Sequence, residues 1–242
     1  ATIQRHFSDL SMMWKAGRDE EDFERLNPFG EHDIQVSKGR KSYLAWHPDD
    51  LRMVIDELTA KPFDPLMVKI AWYTGSRLGE CLSVRPEDIY EGTDEITEEK
   101  IWVIAIKPDD EKRKFKSEED KSAKNKNARR IVPIHRELLK LLKSFKIEGK
   151  GWKRKLPSSY SKYFGRQKML IKDSVNNMSK QFCFHSIRHN VCTNFDRAKV
   201  EERVAARLAG HSTVGATTTY GYYSEGEDYK EALEAVNKLP VL

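Results

Sequence analysis

Apolar residues recur at helical spacing in several separated stretches of the chain and run as a strand in one. The first stripe is Ile3, Phe7, Leu10 and Trp14, one face of a helix. Nothing near it in sequence offers that face a partner. Because the chain also opens on Ala, residues 1–16 read as the last helix of a preceding domain. Residues 17–41 turn polar, carry a turn signal at Asn27-Pro28-Phe29-Gly30, and read as a linker.

The main domain is expected over residues 42–229. Pro48 and Asp49 open a helix with Leu51, Val54, Ile55 and Leu58 on one face, and Pro65 opens another that Gly75 stops. Ser76 is expected to cap a third, carrying Arg77, Leu78, Glu80, Cys81 and Leu82. Ile101 to Ile106 is the clearest strand, with Arg130 to Ile134 as its antiparallel partner across a long hairpin tip. Leu138, Leu139, Leu142 and Phe145 mark one further helix, and Tyr160, Tyr163, Phe164 and Leu170 another.

Ser186 is expected to cap a helix from about Ile187, and Gly210 to end a helix carrying Val204, Ala205 and Leu208. A last short helix, capped by Ser212 or Thr213, would deliver Tyr220. Residues 230–242 form a tail whose helix, from about Glu225, lines up Ala232, Leu233, Val236 and Leu239. That stripe can pack on its own domain or on a neighbouring subunit. The fold class expected is α+β, a mostly helical domain with a small antiparallel sheet.

Composition narrows the picture. The 242 residues are 38% hydrophobic and 33% charged, with a mean hydropathy of −0.71. No apolar run approaches the roughly 20 residues of a membrane span, and no signal peptide is evident, so a cytoplasmic setting and no membrane partner are expected. Cys81, Cys183 and Cys192 are odd in number and lack zinc spacing, so neither disulfides nor a metal site is expected. The net charge of +5 is modest, but its distribution is uneven. Lys112 to Lys116, Lys121, Lys124, Lys126, Arg129 and Arg130 crowd the hairpin tip, interrupted by Glu118, Glu119 and Asp120. Most such runs are solvated faces; a nucleic-acid surface is the sharper reading.

The chemistry gathers between His185 and Tyr220. His185 and Arg188 are three apart, His211 follows a helix stop, and Tyr220 lies nine residues beyond it. Histidines beside an arginine suit a phosphate, and a tyrosine placed after them suits a nucleophile. Singly, each has an ordinary reading: an ion-paired arginine, a hydrogen-bonded histidine, a packed tyrosine, a helix-surface Glu80, a solvated Lys124.

Together these residues resemble a known family. Thr74-Gly75-Ser76-Arg77-Leu78-Gly79-Glu80 resembles the TGxRxxE box of the tyrosine recombinases, the phage-integrase family. His185-Ser186-Ile187-Arg188 resembles its HxxR box, and Gly210-His211 with Tyr220 its GH…Y box. The three occur in the family's order. Ala209 departs from the leucine common there, and Tyr222 and Tyr223 follow Tyr220 closely, so the nucleophile rests on spacing.

The resemblance implies a site-specific recombinase, an integrase that cuts and rejoins duplex DNA through a 3′-phosphotyrosyl intermediate without metal, cofactor or ATP. Arg77 and Arg188 would clamp the phosphate, His185 take the proton of Tyr220, and His211 donate to a non-bridging oxygen. Lys124 would protonate the leaving 5′-oxygen, with Lys121 and Lys126 as alternatives, and Lys121, Lys126 and Arg129 would meet DNA. Glu80 would orient or buffer Arg77 or a histidine. Residues 1–16 would then be the C-terminal helix of a core-binding domain. Expected partners are double-stranded DNA, further copies in a homo-tetramer on paired sites from a free monomer, and accessory DNA-bending proteins. The alternatives are a type IB topoisomerase, a DNA-binding module without chemistry, and a metal-dependent nuclease, which would need a carboxylate cluster.

Overall fold

A computed structural model describes residues 2–21, 26–30, 44–60, 63–107, 129–148, 156–174, 182–211 and 228–242. By its contacts the chain divides into two units, Ala1–Ser42 and Tyr43–Leu242.

In the first unit, helix α1 (Thr2–Glu21) runs past the expected end at residue 16. Gly17 does not stop it, and Arg18 and Glu20, which follow it exposed, are good helix formers. Its stripe does have a nearby partner, contrary to expectation. Phe29 packs edge-on against Phe7 at 6.2 Å and Trp14 at 6.4 Å. Asn27 sets the turn that brings Phe29 there: its Oδ1 accepts from the Phe29 N–H at 2.9 Å, and its Nδ2 donates to Ser11 Oγ at 2.8 Å. Ile3 and Leu10 stay exposed.

The second unit is built around α3 (Asp64–Thr74), which buries Leu66, Met67, Val68, Ile70, Ala71, Trp72 and Tyr73. A helix apolar on every side belongs in the middle of a core. Packed on it are α2 (Pro48–Asp56), α4 (Leu78–Ser83), α5 (Arg136–Glu148) and α7 (Phe184–Arg197). Helix α6 (Pro157–Leu170) adds Tyr160, Tyr163 and Phe164 to the same core.

Strands β1 (Ile89–Thr93), β2 (Lys100–Ile106) and β3 (Arg130–Pro133) form one antiparallel sheet in that order. The register sets Ile89 opposite Ile104, Val103 opposite Pro133, and Ile106 opposite Arg130. Pro133 is tolerated because β3 is an edge strand. The fold is therefore the expected mostly helical α+β domain with one small sheet. The hairpin tip with Lys121, Lys124 and Lys126 lies outside the described residues, as does Tyr220.

Two expected caps are corrected. Arg77, not Ser76, precedes α4, and its N–H is held by Glu80 Oε2 at 3.0 Å. Helix α7 starts at Phe184, and Ser186 sits in its first turn, its Oγ accepting from the Cys183 N–H at 3.1 Å. In both helices the side chain at the third position, Glu80 or Ser186, reaches back to the cap residue's N–H, so α4 begins one residue later than expected and α7 three residues earlier.

Helix α8 (Glu202–Ala209) ends as expected at Gly210. Helix α9 (Tyr229–Asn237) straddles the expected 229/230 boundary and packs on its own domain, against β3 and α8. It buries Tyr229, Ala232, Ala235 and Val236. The residues beyond it are tied down as well: Trp72 Nε1 donates to the Pro240 carbonyl at 2.8 Å, and the Leu242 N–H donates to the Tyr73 hydroxyl at 2.9 Å. All three cysteines are free. Among the described residues no helix is long and apolar enough to cross a membrane.

Candidate active site

The site starts from two glycine stops. Gly75 ends α3 with φ +65, a left-handed conformation in which its N–H still donates to the Ala71 carbonyl at 2.9 Å. A Cβ there would stand 3.3 Å from Val191 Cγ1 of α7. The glycine therefore both turns the chain toward Arg77 and lets the turn lie against α7. Gly210 does the same work at the end of α8, with φ 65 and ψ 45. The next residue, His211, donates its N–H back to the Ala206 carbonyl at 3.0 Å and leaves its side chain exposed.

Arg188 lies in the first half of α7 and is only 5% exposed. Its Nη1 donates to the Gly75 carbonyl at 2.7 Å. Its Nη2 is buried with no hydrogen-bond partner among the described residues. One turn earlier, His185 is exposed on the same helix. Arg77 is half exposed, 49% for its side chain, and meets buried Glu80 through Nη1 at 2.8 Å.

The charges confirm that these groups share one place. The positive charges of Arg77 and Arg188 reach both His185 and His211. Each imidazole is held below its usual value, first by partial burial and then by those arginines. Burial, with Arg77 and Arg130 nearby, pushes Arg188 down to about 10, which leaves it protonated at neutral pH. Burial alone would raise Glu80, but the charge of Arg130 and the hydrogen bonds from Arg77 outweigh it and hold the carboxyl below its usual range.

Of the residues the sequence singled out, Arg77, Glu80, His185, Arg188 and His211 converge. Arg129 stays exposed just before β3. Lys121, Lys124, Lys126 and Tyr220 fall outside the described residues. Arg130 was missed as a site residue. Read as one more charge in a basic run, it is instead buried against Glu80, at 3.1 Å. The signal available was its place at the head of an apolar strand, where an unpaired charge is costly. Lys107, the last residue before the hairpin tip, is ion-paired with buried Asp88.

The arrangement can therefore do two things. Three guanidinium groups face one carboxylate among these residues, so an anion is attracted, and a buried donor on Arg188 stands ready for it. Two imidazoles kept neutral beside it can take or share a proton. No cluster of His, Cys, Asp and Glu suited to a metal ion occurs among the described residues.

Residues 46–225 match the sequence profile of the phage integrase family. The chain belongs to that family. Among solved structures it is similar to a lambda integrase tetramer bound to a Holliday junction, with a TM-score of 0.59 and 16% identity over 87% of this chain. It is similar too to the integrase of the Tn1549 transposon in complex with transposon right end DNA, with a TM-score of 0.58 and 16% identity. That alignment covers 96% of this chain and 77% of the other. The integrase from mycobacterium phage Brujita aligns with a TM-score of 0.51 and 17% identity, covering 99% of this chain and 72% of that one. At such identities the likeness is one of fold. The chain spans 58% of the lambda integrase's length. No curated protein matches the sequence significantly.

Proposed function

We propose that this integrase-family chain cleaves and rejoins duplex DNA as a site-specific recombinase. The observation that carries the reading is the buried Nη2 of Arg188, unpartnered among the described residues beside Arg77 and two neutral histidines. A donor left in that state suits an oxygen of a scissile phosphate.

In this reading the phenolic oxygen of Tyr220 attacks phosphorus as the bond to the 5′-oxygen breaks. A 3′-phosphotyrosyl bond replaces a phosphodiester, so the linkage keeps its energy and no ATP is required. Arg77 and Arg188 hold the non-bridging oxygens as charge builds there, and His211 donates to one of them. His185 takes the phenol proton, and Lys124 of the hairpin tip, or Lys121 or Lys126, gives one to the departing oxygen. Attack by the 5′-hydroxyl of a second strand reverses the step and completes the exchange. No metal or cofactor enters.

The partners follow from this reaction and from the lambda relative's tetramer on a Holliday junction. Double-stranded DNA is the substrate, and four copies assemble on paired sites from free monomers, with DNA-bending proteins as accessories. Arg129, Lys121 and Lys126 contact the backbone, so binding weakens steeply with salt. Residues 1–16 are the C-terminal helix of a core-binding domain, 17–41 a linker and 42–229 the catalytic domain, followed by the tail, and a DNA substrate fits a cytoplasmic compartment.

The test is a pool of nicked duplexes randomised around the nick, incubated with the chain in EDTA without ATP, with Tyr220→Phe in parallel and adducts resolved on a denaturing gel. A covalent adduct lost in Tyr220→Phe is expected, and sequencing the trapped DNA gives the site. Strand transfer to a second duplex separates a recombinase from a topoisomerase, which reseals only its own strand. DNA binding with no adduct at any sequence would overturn the reading in favour of a module without chemistry.

A further inference from the structure

Arg130 heads β3, opposite Ile106 at the end of β2, and its side chain is only 4% exposed. Its hydrogen bonds leave its own strand for two distant segments. Nε donates to the Leu208 carbonyl at 2.8 Å, across 78 residues. Nη2 donates to Ser76 Oγ at 3.0 Å and to Glu80 Oε2 at 3.1 Å. A planar fork suits this bridging because its donors diverge in fixed directions.

Each contact bears on a group of the proposed site. Leu208 offers one of the last carbonyls of α8, which find no partner inside a helix, and His211 follows three residues later. Ser76 immediately precedes Arg77. Glu80 is the carboxylate on which Arg77 rests, through Oε1 to Nη1 and Oε2 to the Arg77 N–H. A buried carboxylate facing one arginine closes into a two-bond fork that uses both oxygens. Here Arg130 occupies Oε2, and the Arg77 side chain meets only Oε1.

We propose that Arg130 is a positioning residue of the cleavage site: it shares the Glu80 carboxylate so that Arg77 is oriented without being neutralised, and it fixes the helix end from which His211 projects. The inference rests on reading the cluster as a phosphate clamp and adds a component that the three sequence boxes do not contain. Loss of Arg130 would free Glu80 to fold onto Arg77, or to take up a proton because its burial is no longer compensated.

The experiment compares the full chain with Arg130→Gln and Arg130→Lys. Carboxyl NMR of labelled glutamate follows Glu80, whose midpoint is expected to rise in Arg130→Gln. Single-turnover cleavage of the duplex recovered from the pool is expected to fall roughly 10- to 100-fold, the scale of one lost charge-assisted bond. DNA affinity should stay within about twofold, which marks a loss confined to the transition state. The deficit should deepen toward acid pH, and Arg130→Lys, which restores charge but not the fork, should recover part of it.

Parent-like cleavage by Arg130→Gln would overturn the proposal. So would an unmoved Glu80 midpoint with cleavage, DNA binding and melting temperature falling together, since that pattern is plain loss of structure. Absence of any adduct from the parent chain would sink the recombinase reading by itself, and the Glu80 midpoint would still decide for or against Arg130's hold on the carboxylate. If Arg130→Gln does not fold, Arg130→Lys carries the comparison, and full activity with an unshifted Glu80 would refute the role.

Discussion

Arg188 donates from Nη1 to the carbonyl oxygen of Gly75 at 2.7 Å, across 113 residues. This bond ties the turn that ends α3 to the helix that carries His185. It also anchors one arm of a buried guanidinium whose Nη2 has no hydrogen-bond partner among the described residues. On the proposed reading it is a donor organised in advance for a phosphate, which is how fixed donors gain their advantage over water.

Replacing Arg188 by lysine tests that use of a fork. An ammonium keeps the charge but cannot hold the Gly75 carbonyl and offer a second donor in a fixed plane. Arg188→Lys is expected to lower adduct formation by about 100-fold or more, the scale of a lost transition-state donor. A melting curve checks that the fold survives.

Gly75→Ala tests the turn itself. The φ of +65 strains any side chain, and the new methyl would crowd Val191 Cγ1 at 3.3 Å. The expected cost is about 1–2 kcal/mol of stability, a fall of about 2–4 °C in melting temperature per kcal/mol for a chain of this size. Cleavage should fall by more than that stability loss alone explains, because the carbonyl that aims Arg188 moves with the turn.

The pH dependence has a definite sign. His185 and His211 are both held below their ordinary value, first by partial burial and then by Arg188 and Arg77. The folded chain therefore binds fewer protons than the unfolded one over this range. The stability that goes with the neutral imidazoles is fully present above the free value of about 6.5, and it is lost as pH falls through the lower folded value. With His185 as the base, cleavage should stay flat from neutral pH to below about 6.5 and decline beneath it on the acid side. Single-turnover rates against pH, with the His185 Cε1 signal titrated by NMR, check both the position and the assignment.

The tail gives a prediction about stability. Gly92 lies so close to Tyr229 that a Cβ would stand 2.7 Å from its Cε2. Gly92→Ala is expected to cost about 1–3 kcal/mol by overpacking, and to raise the susceptibility of α9 to limited proteolysis. Cutting the chain before Tyr229 should cost more, since Ala232, Ala235, Val236 and Leu239 would no longer cover the core. Thermal melts of both variants measure the difference.

Acid should loosen the same junction. Asp94 accepts from the N–H of Lys230 at 2.9 Å and from Thr97 and Ile96 in its own turn. These bonds, the one from Lys230 first, hold its carboxyl down to about 2. Its stabilising contribution is present above the unfolded value of about 4 and disappears as pH falls through the folded one. Asp94→Asn should be less stable at neutral pH and show a weaker loss between those values, as read from melting temperatures across the acid range.

Local chemistry made much of this protein legible from its sequence. Gly75 and Gly210 announce helix ends because a left-handed residue is needed there, and both adopt it. The run from Ile101 to Ile106 announces a buried strand, and its pairing with Arg130 to Pro133 is the one expected. The residues of the candidate site, Arg77, His185, Arg188 and His211, could be named from spacing and resemblance because each sits at a helix end or in a first helical turn or two that the sequence itself marks.

Tertiary structure alone decided the roles that depend on distant neighbours. Phe29 covers the first helix because Asn27 folds its turn back onto Ser11, a contact that no helical period foretells. The tail packs on its own domain because Gly92, Trp72 and Tyr73 leave room and partners for it there. Arg130 looked like one more charge in a basic stretch, since its meaning comes from Ser76, Glu80 and Leu208, 50 to 78 residues away. Sequence periodicity reports which face of an element is apolar. Which buried charge answers which is decided only when separate elements close on one another and exclude water.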